Sequence, residues 1–194
     1  RFEEAERESV KLLQSDAGNP AAQRAYAMAL AGQVRRGELV GKRPQPVFVG
    51  NELLRALELN PGDIRLSWLT ARMYRESPSL LNDSARSKLK SDEERGRKAD
   101  EILDEMVRLH ADDPDAWLTR FKYRTSFKLP GAEDDLRTAV EKGPDSLEVR
   151  LTAAFQAHNS SDPTLRTCGI DHWRYIQTRP RPRSEAAWLG LGDV

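Results

Sequence analysis

Residues 106–117, MVRLHADDPDAW, contain the end of one helix, a short polar turn and the start of another helix. Apolar residues with helical spacing lead into the turn, and Asp113 precedes a proline, which is typical of a capped first turn. The same passage occurs at 56–68, ALELNPGDIRLSW, and at 139–150, AVEKGPDSLEVR. Three copies of one helix–turn–helix passage indicate a chain that is built from repeats.

The helical period extends through the whole chain. Apolar residues recur at intervals of three and four, and strict alternation is absent. Asn19, Asp113 and Asp162 each precede a proline, and Ser91 with Glu94 fits a capping box. These patterns predict helices over 2–15, 20–36, 47–59, 63–75, 91–110, 114–127, 132–142, 147–158, 163–178 and from 184 onward.

Composition limits the classes of function. The 194 residues are 38% hydrophobic and 32% charged, which is ordinary for a soluble globular protein. Basic and acidic residues number 31 each, so no overall field attracts nucleic acid or anionic membranes. One cysteine, Cys168, excludes an internal disulfide, and no apolar run reaches the length of about 20 residues of a membrane-spanning helix. The compartment stays open, since the cytoplasm and the periplasm are both compatible.

The junctions resemble those of the tetratricopeptide repeat, a helix pair of about 34 residues with W-x2-L-G-x2-Y in its first helix and A-x3-F in its second. The best match is 112–144, with Trp117 and Phe121 in the first helix and Ala132 and Leu136 in the second. The resemblance implies an all-α, right-handed superhelical solenoid of antiparallel helix pairs. Its units would be a lone second helix at about 1–17, then 18–61, 62–111, 112–144, 145–182, and the start of a further unit at 183–194.

The sequence also departs from the repeat pattern. Arg120 and Arg124 stand where the family usually has Leu and Tyr, and Arg174 stands where it usually has a large aromatic residue. The last stretch, SEAAWLGLGDV at 184–194, has the spacing of another first helix. We therefore expect the chain to be part of a longer, bacterial repeat protein, with apolar stacking faces that permit end-to-end self-association.

The resemblance implies a non-catalytic scaffold or adaptor that binds a peptide or a partner protein on its concave face. Basic residues around Trp68 favour a partner segment that is acidic or contains aromatic residues. A simpler alternative is that Arg72 and Arg75 form a solvated helix face or pair with Glu76, and that Trp68 belongs to the core. The candidate contact residues are Arg65, Trp68, Arg72, Arg75, Leu118, Lys122, Leu151 and Phe155.

A second class of function stays open, in which the chain is a regulatory or assembly segment of a larger multidomain enzyme or of a secretion or membrane-associated complex. The chain itself offers weak candidates for catalysis. His110, Asp112 and Asp113 coincide with a junction, where acids are expected as caps. Cys168 and His172 are four residues apart, but no oxyanion-binding loop accompanies them. We predict no catalytic, cofactor or metal site.

The basic segments favour no nucleic-acid partner. RPRPR at 179–183 lies between two predicted helices and is interpreted as a rigid connector. Lys88 and Lys90 are followed, after Ser91, by the three acidic residues Asp92, Glu93 and Glu94. The predicted partners are therefore proteins or peptides, with no nucleic acid and no membrane insertion within this segment.

Overall fold

The computed structural model describes residues 2–36, 46–82, 88–159 and 163–178. Within these ranges the chain is all-helical and contains no strand, which confirms the all-α part of the predicted fold class. The predicted helix from 184 onward lies outside the described residues. The helices are α1 (Phe2–Ser15), α2 (Pro20–Arg36), α3 (Pro46–Leu59), α4 (Ile64–Glu76), a short 3-10 helix (Pro78–Leu80), α5 (Asp92–Leu109), α6 (Pro114–Ser126), α7 (Ala132–Lys142), α8 (Leu147–His158) and α9 (Pro163–Gln177).

Local capping chemistry explains where these helices begin. The Ser91 hydroxyl accepts a bond from the backbone N–H of Glu94 at 3.0 Å, and the Glu94 carboxylate accepts one from the N–H of Ser91 at 2.9 Å. Asn19 and Asp113 accept backbone bonds in the first turns of α2 and α6, each at 2.9 Å. These contacts confirm three predicted caps, whereas Asp162 lies outside the described residues.

The repeated passages adopt one common turn. At 60–63, 110–113 and 143–146, the backbone N–H of the last residue donates to the carbonyl of the first, at 3.0 to 3.1 Å. A turn of the same form at 16–19, with a bond of 3.2 Å, joins α1 to α2, although these residues are not part of the three matching sequence passages. One local geometry therefore directs four of the connections between helices.

The helices pack in a regular order. Each helix contacts the next one along the chain, and α2 contacts α4, α4 contacts α6, and α6 contacts α8. The main core runs from α2 to α6 and includes Leu30, Leu53, Leu66, Leu103 and Tyr123. The even-numbered helices from α2 to α8 therefore form a continuous series, in which α4 and α6 lie side by side.

Small residues allow close contact between helices. Ala99 and Ala154 are fully buried within the core clusters, whereas Ala132 is only half-buried. Gly50 on α3 faces the 3-10 helix so closely that an added Cβ atom would lie 2.0 Å from the Leu80 carbonyl oxygen. None of the helices in the described ranges is long and apolar enough to cross a membrane.

Candidate partner-binding groove

A groove of about 560 Å³ lies between α4 and α6 and reaches the first turn of α8. Four of the predicted contact residues line it, with Arg65 and Trp68 on α4, and Leu118 and Lys122 on α6. The structure thus brings together residues that lie about 50 positions apart in the sequence. The full lining is Ile64, Arg65, Trp68, Asp115, Leu118, Thr119, Lys122 and Glu148.

Capping interactions fix the walls of this groove. The Asp63 carboxylate accepts a bond from the backbone N–H of Leu66 at 2.8 Å and a second bond from Arg24 at 2.5 Å. Asp113 caps α6 in the corresponding place. Because both caps lie directly before the groove, Arg65 and Asp115 are held in the first turns of their helices.

The floor of the groove is apolar. Leu118 is buried within a core cluster that also contains Phe121 and Leu136. Trp68 is half-buried and packs against the main core, while its remaining surface lines the groove. The alternative that Trp68 is a core residue is therefore correct for part of its ring, and the rest is available to a partner.

The charges of the groove balance. The Lys122 ammonium lies 2.6 Å from the Glu148 carboxylate. Arg65 and Asp115 form no ion pair with any residue in the described part of the chain. Burial, together with the negative charges of Asp113 and Glu148, raises the pKa of the Asp115 carboxyl above its ordinary value, while Lys122 acts in the opposite direction. Two cations and two anions line the groove, whereas the sequence indicated a cationic surface.

Arg72 lies outside this groove and pairs within its own helix. Its Nε and Nη2 groups donate to the Glu76 carboxylate at 2.8 and 2.9 Å. The guanidinium also lies 5.4 Å from the centroid of the Trp68 ring, within range of a cation–π contact. The pairing with Glu76 is the one that the sequence offered as the simpler alternative.

Arg75 points away from the groove, toward α5 and α6. Its Nε–H donates to the Tyr123 hydroxyl at 2.6 Å, and its Nη2 lies 3.3 Å from both carboxylate oxygens of Asp100. The guanidinium also stacks on the Phe127 ring, at 5.2 Å. Tyr123 is 1% exposed, and burial raises the pKa of its hydroxyl to about 12. Arg75 therefore joins three helices and is not exposed to a partner in the groove.

Leu151 and Phe155 belong to a different surface, where α8 packs on α9. Leu151 packs against the cluster of Ala154, Trp173 and Ile176. The Phe155 ring meets the Trp173 ring edge to face at 5.3 Å and is 46% exposed. These two predicted contact residues therefore do not share the groove with Trp68.

Arg120 and Arg124, which depart from the repeat pattern, hold a buried carboxylate. Asp135 on α7 is 1% exposed and accepts bonds from Arg120 at 2.7 Å and from Arg124 at 2.9 Å. Arg120 also donates to Asp104 of α5 at 2.7 Å. Sequence reasoning missed this network, although Asp135 lies beside the apolar stripe of its helix, where an acid indicates a basic partner.

The residues considered for catalysis have structural contacts. The Asp112 carboxylate accepts a bond from Lys142 at 2.6 Å. His172 lies 2.9 Å from an Arg150 nitrogen, and burial, followed by the charge of Arg150, lowers the pKa of its imidazole. The side chain of Cys168 and the segment RPRPR lie outside the described residues. Among the residues that the structure does describe, no cluster of three or more potential ligands could hold a metal ion.

No protein-family model matches the chain, and no curated protein or solved structure matches it. The groove and the order of the helices are therefore the features that point to a function.

Proposed function

We propose that this chain is a non-catalytic scaffold or adaptor that binds a peptide or a partner protein in the groove between α4 and α6. The observation that carries this proposal is the composition of the groove. Trp68 and Leu118 offer apolar contact, and Arg65 and Asp115 supply charges that no described residue neutralises. A concave apolar surface with a few convergent polar groups is the usual form of a binding site, and tryptophan and arginine often dominate the energy of an interface.

We further propose that the helices form a tetratricopeptide-like solenoid, with the right-handed superhelix that this family adopts. The common turn at 16–19, 60–63, 110–113 and 143–146 supports this arrangement. The contacts of α2 with α4, α4 with α6 and α6 with α8 support it as well. In a solenoid of helix pairs, alternate helices line one extended surface, which such proteins use to bind other chains.

The ionisable groups around the groove favour binding over catalysis. Asp113 is used as a helix cap, and Lys122 is paired with Glu148. No described histidine lines the groove. Histidine is the side chain that most often acts as a general base, so the described lining favours binding.

The test is to fill the groove without disturbing the core. Thr119 lines the groove and is half-buried, so Thr119→Trp places an indole where a partner would lie. Gln156→Trp is the matched control, since Gln156 is exposed on α8 and is not part of the lining. A random peptide library is displayed and selected on the wild-type chain, and the affinity of each enriched peptide is measured by fluorescence anisotropy.

We expect Thr119→Trp to weaken binding at least about tenfold and Gln156→Trp to leave it unchanged, with equal helix content by circular dichroism in all three proteins. Trp68→Ala is a less specific test, because Trp68 also packs against the core. Equal binding by both tryptophan variants, or a library that yields no enriched peptide, would contradict the proposal.

A further inference from the structure

We infer that the groove between α4 and α6 selects a segment of mixed charge, in which an apolar side chain has an acidic residue on one side and a basic residue on the other. This inference rests on the proposed function and concerns the chemistry of the partner. The mixed charge of this segment differs from the acidic segment that the sequence indicated.

Among the described cations on or beside the groove, Arg65 is the one that is free to meet a partner carboxylate. Arg72 is bound to Glu76, Arg75 is bound to Tyr123, and Lys122 lies 2.6 Å from Glu148. Arg65 is exposed, lines the groove and has no ion pair in the described part of the chain. Its guanidinium can hold a carboxylate with two parallel bonds, which gives both strength and a fixed orientation.

The other free charge is an anion. Asp115 lines the α6 side of the groove, and the described residues provide it with no paired cation. Lys122 is a cation that acts on Asp115, and it is held by Glu148. The charges of Asp113 and Glu148 already act against ionisation of Asp115, as burial does, while Lys122 acts in the opposite direction. A lysine or arginine of the partner would relieve this repulsion, whereas a second carboxylate would increase it.

The two free charges belong to different walls of the groove. Arg65 and Trp68 come from α4, whereas Asp115 and Leu118 come from α6, and no ion pair joins Arg65 to Asp115. A side chain seated on Trp68 and Leu118 therefore has a free cation on one side and a free anion on the other. A wholly acidic segment would meet Asp115, and a wholly basic one would meet Arg65, so each would lose part of its attraction.

The experiment inverts both charges. Peptides with a central leucine, flanked by positions randomised among glutamate, lysine and serine, are selected on the wild-type chain and on Arg65→Glu with Asp115→Lys. The double variant keeps the net charge. It also exchanges one favourable and one unfavourable charge between the first turns of two helices, so the two effects on helix stability should cancel. Arg97→Glu with Glu141→Lys is the control, since both residues are exposed and lie outside the groove.

We expect the wild-type chain and the control to enrich peptides with one glutamate and one lysine on opposite sides of the leucine. The charge-inverted variant should enrich the reverse order and should bind the wild-type peptides about tenfold more weakly. Enrichment of leucine peptides without a charge preference, of all-acidic or all-basic flanks, or of the same order by both proteins would overturn the inference and leave the proposed function intact.

Two other results separate this inference from the proposed function. If the wild-type chain enriches peptides no better than Thr119→Trp does, both the inference and the proposed function are overturned. Light scattering distinguishes a second copy of the chain as the occupant. A dimer that dissociates in Thr119→Trp would assign the groove to self-association and would overturn the mixed-charge segment, whereas a wild-type monomer agrees with it.

Discussion

The helices α3 and α7 each follow a capped helix and pack against it, but different chemistry holds them. α3 buries Val49, Leu53 and Ala56 in the main core, between α2 and α4. α7 buries Leu136 against α6 and, beside it, the carboxylate of Asp135. The first helix is held by apolar contact and close fit, and the second partly by a buried ionic network.

This difference predicts which substitutions α3 and α7 each tolerate. An apolar interface responds to volume, because its energy follows buried area and packing. A buried ion pair responds to the loss of one partner, because the remaining charge is left without compensation. Asp135 and Gly50 are the residues where the two responses can be measured separately.

The largest effect is expected for Asp135→Ala. The substitution leaves the guanidinium groups of Arg120 and Arg124 without their buried acceptor, and the more exposed Asp104 and the Gly131 carbonyl remain near them. We expect the free energy of unfolding to fall by about 3–5 kcal/mol, measured by urea denaturation followed by circular dichroism.

A matched control lies one residue away. Asp134 is exposed and pairs with Arg137, also exposed, at 2.9 Å, so Asp134→Ala should change stability by no more than about 1 kcal/mol. Replacing the network as a unit, by Asp135→Leu with Arg120→Leu and Arg124→Tyr, should restore most of the stability that Asp135→Ala removes. If Asp134→Ala and Asp135→Ala both lowered the free energy of unfolding by a similar small amount, α7 would be held by apolar contact, as α3 is, and not by the ionic network.

In α3 the sensitive position is a glycine. The Cβ atom of Gly50→Ala would lie 2.0 Å from the Leu80 carbonyl oxygen and 3.2 Å from the Met73 sulfur, so the 3-10 helix must shift. We expect a loss of about 1–3 kcal/mol in the free energy of unfolding, measured in the same way.

Gly18→Ala provides the comparison, because it removes the same backbone freedom where there is room. The nearest atom to its added Cβ is an Asp16 carboxylate oxygen at 3.6 Å. This variant should be neutral or more stable by about 0.4–1 kcal/mol. If both glycine variants proved equally stable, the close fit of α3 against the 3-10 helix would not limit its packing.

Sequence reasoning succeeded where the determining chemistry is local. The predicted helix ends differ from the observed ones by no more than one residue within the described ranges, because caps such as Ser91 and Asp113 act on the residues next to them. The period also placed Arg65 and Trp68 on one helix face and Leu118 and Lys122 on another, and these two faces form the groove.

Sequence reasoning missed the direction of individual arginine side chains. Arg75 and Arg120 have the same appearance in the sequence as Arg65, a basic residue on a helix that is otherwise partly apolar. Arg75 reaches Tyr123, 48 positions away, and Arg120 reaches Asp135, 15 positions away. Such pairings depend on tertiary contact, and no local period encodes them. The acid beside the apolar stripe of α7 was the only local signal.

The smallest effect tests whether the contact between α4 and α6 resembles the ionic packing of α7. The Tyr123 hydroxyl accepts a bond from Arg75, and burial raises its pKa to about 12. Below pH 10 this hydroxyl is neutral in the folded and unfolded chains, so it adds no pH dependence. Between about pH 10 and 12 the unfolded chain loses the proton first, and the free energy of unfolding therefore falls as pH rises.

Tyr123→Phe removes that titration while keeping the ring against Phe127. At pH 7 the variant should be less stable by about 1 kcal/mol, because the bond from Arg75 is lost. The difference should shift by about 1–2 kcal/mol in favour of Tyr123→Phe as pH rises from 9 to 12, so that the deficit disappears or reverses, because the folded wild-type chain retains a proton that its unfolded form has lost. Urea denaturation of both proteins across this range measures the difference in their free energies of unfolding. The lysines and the other tyrosines titrate in both proteins, so their contributions cancel in this difference. A deficit that stays constant with pH would mean that Tyr123 gives up its proton as easily when folded as when unfolded, because the charge of Arg75 then offsets the burial of the hydroxyl.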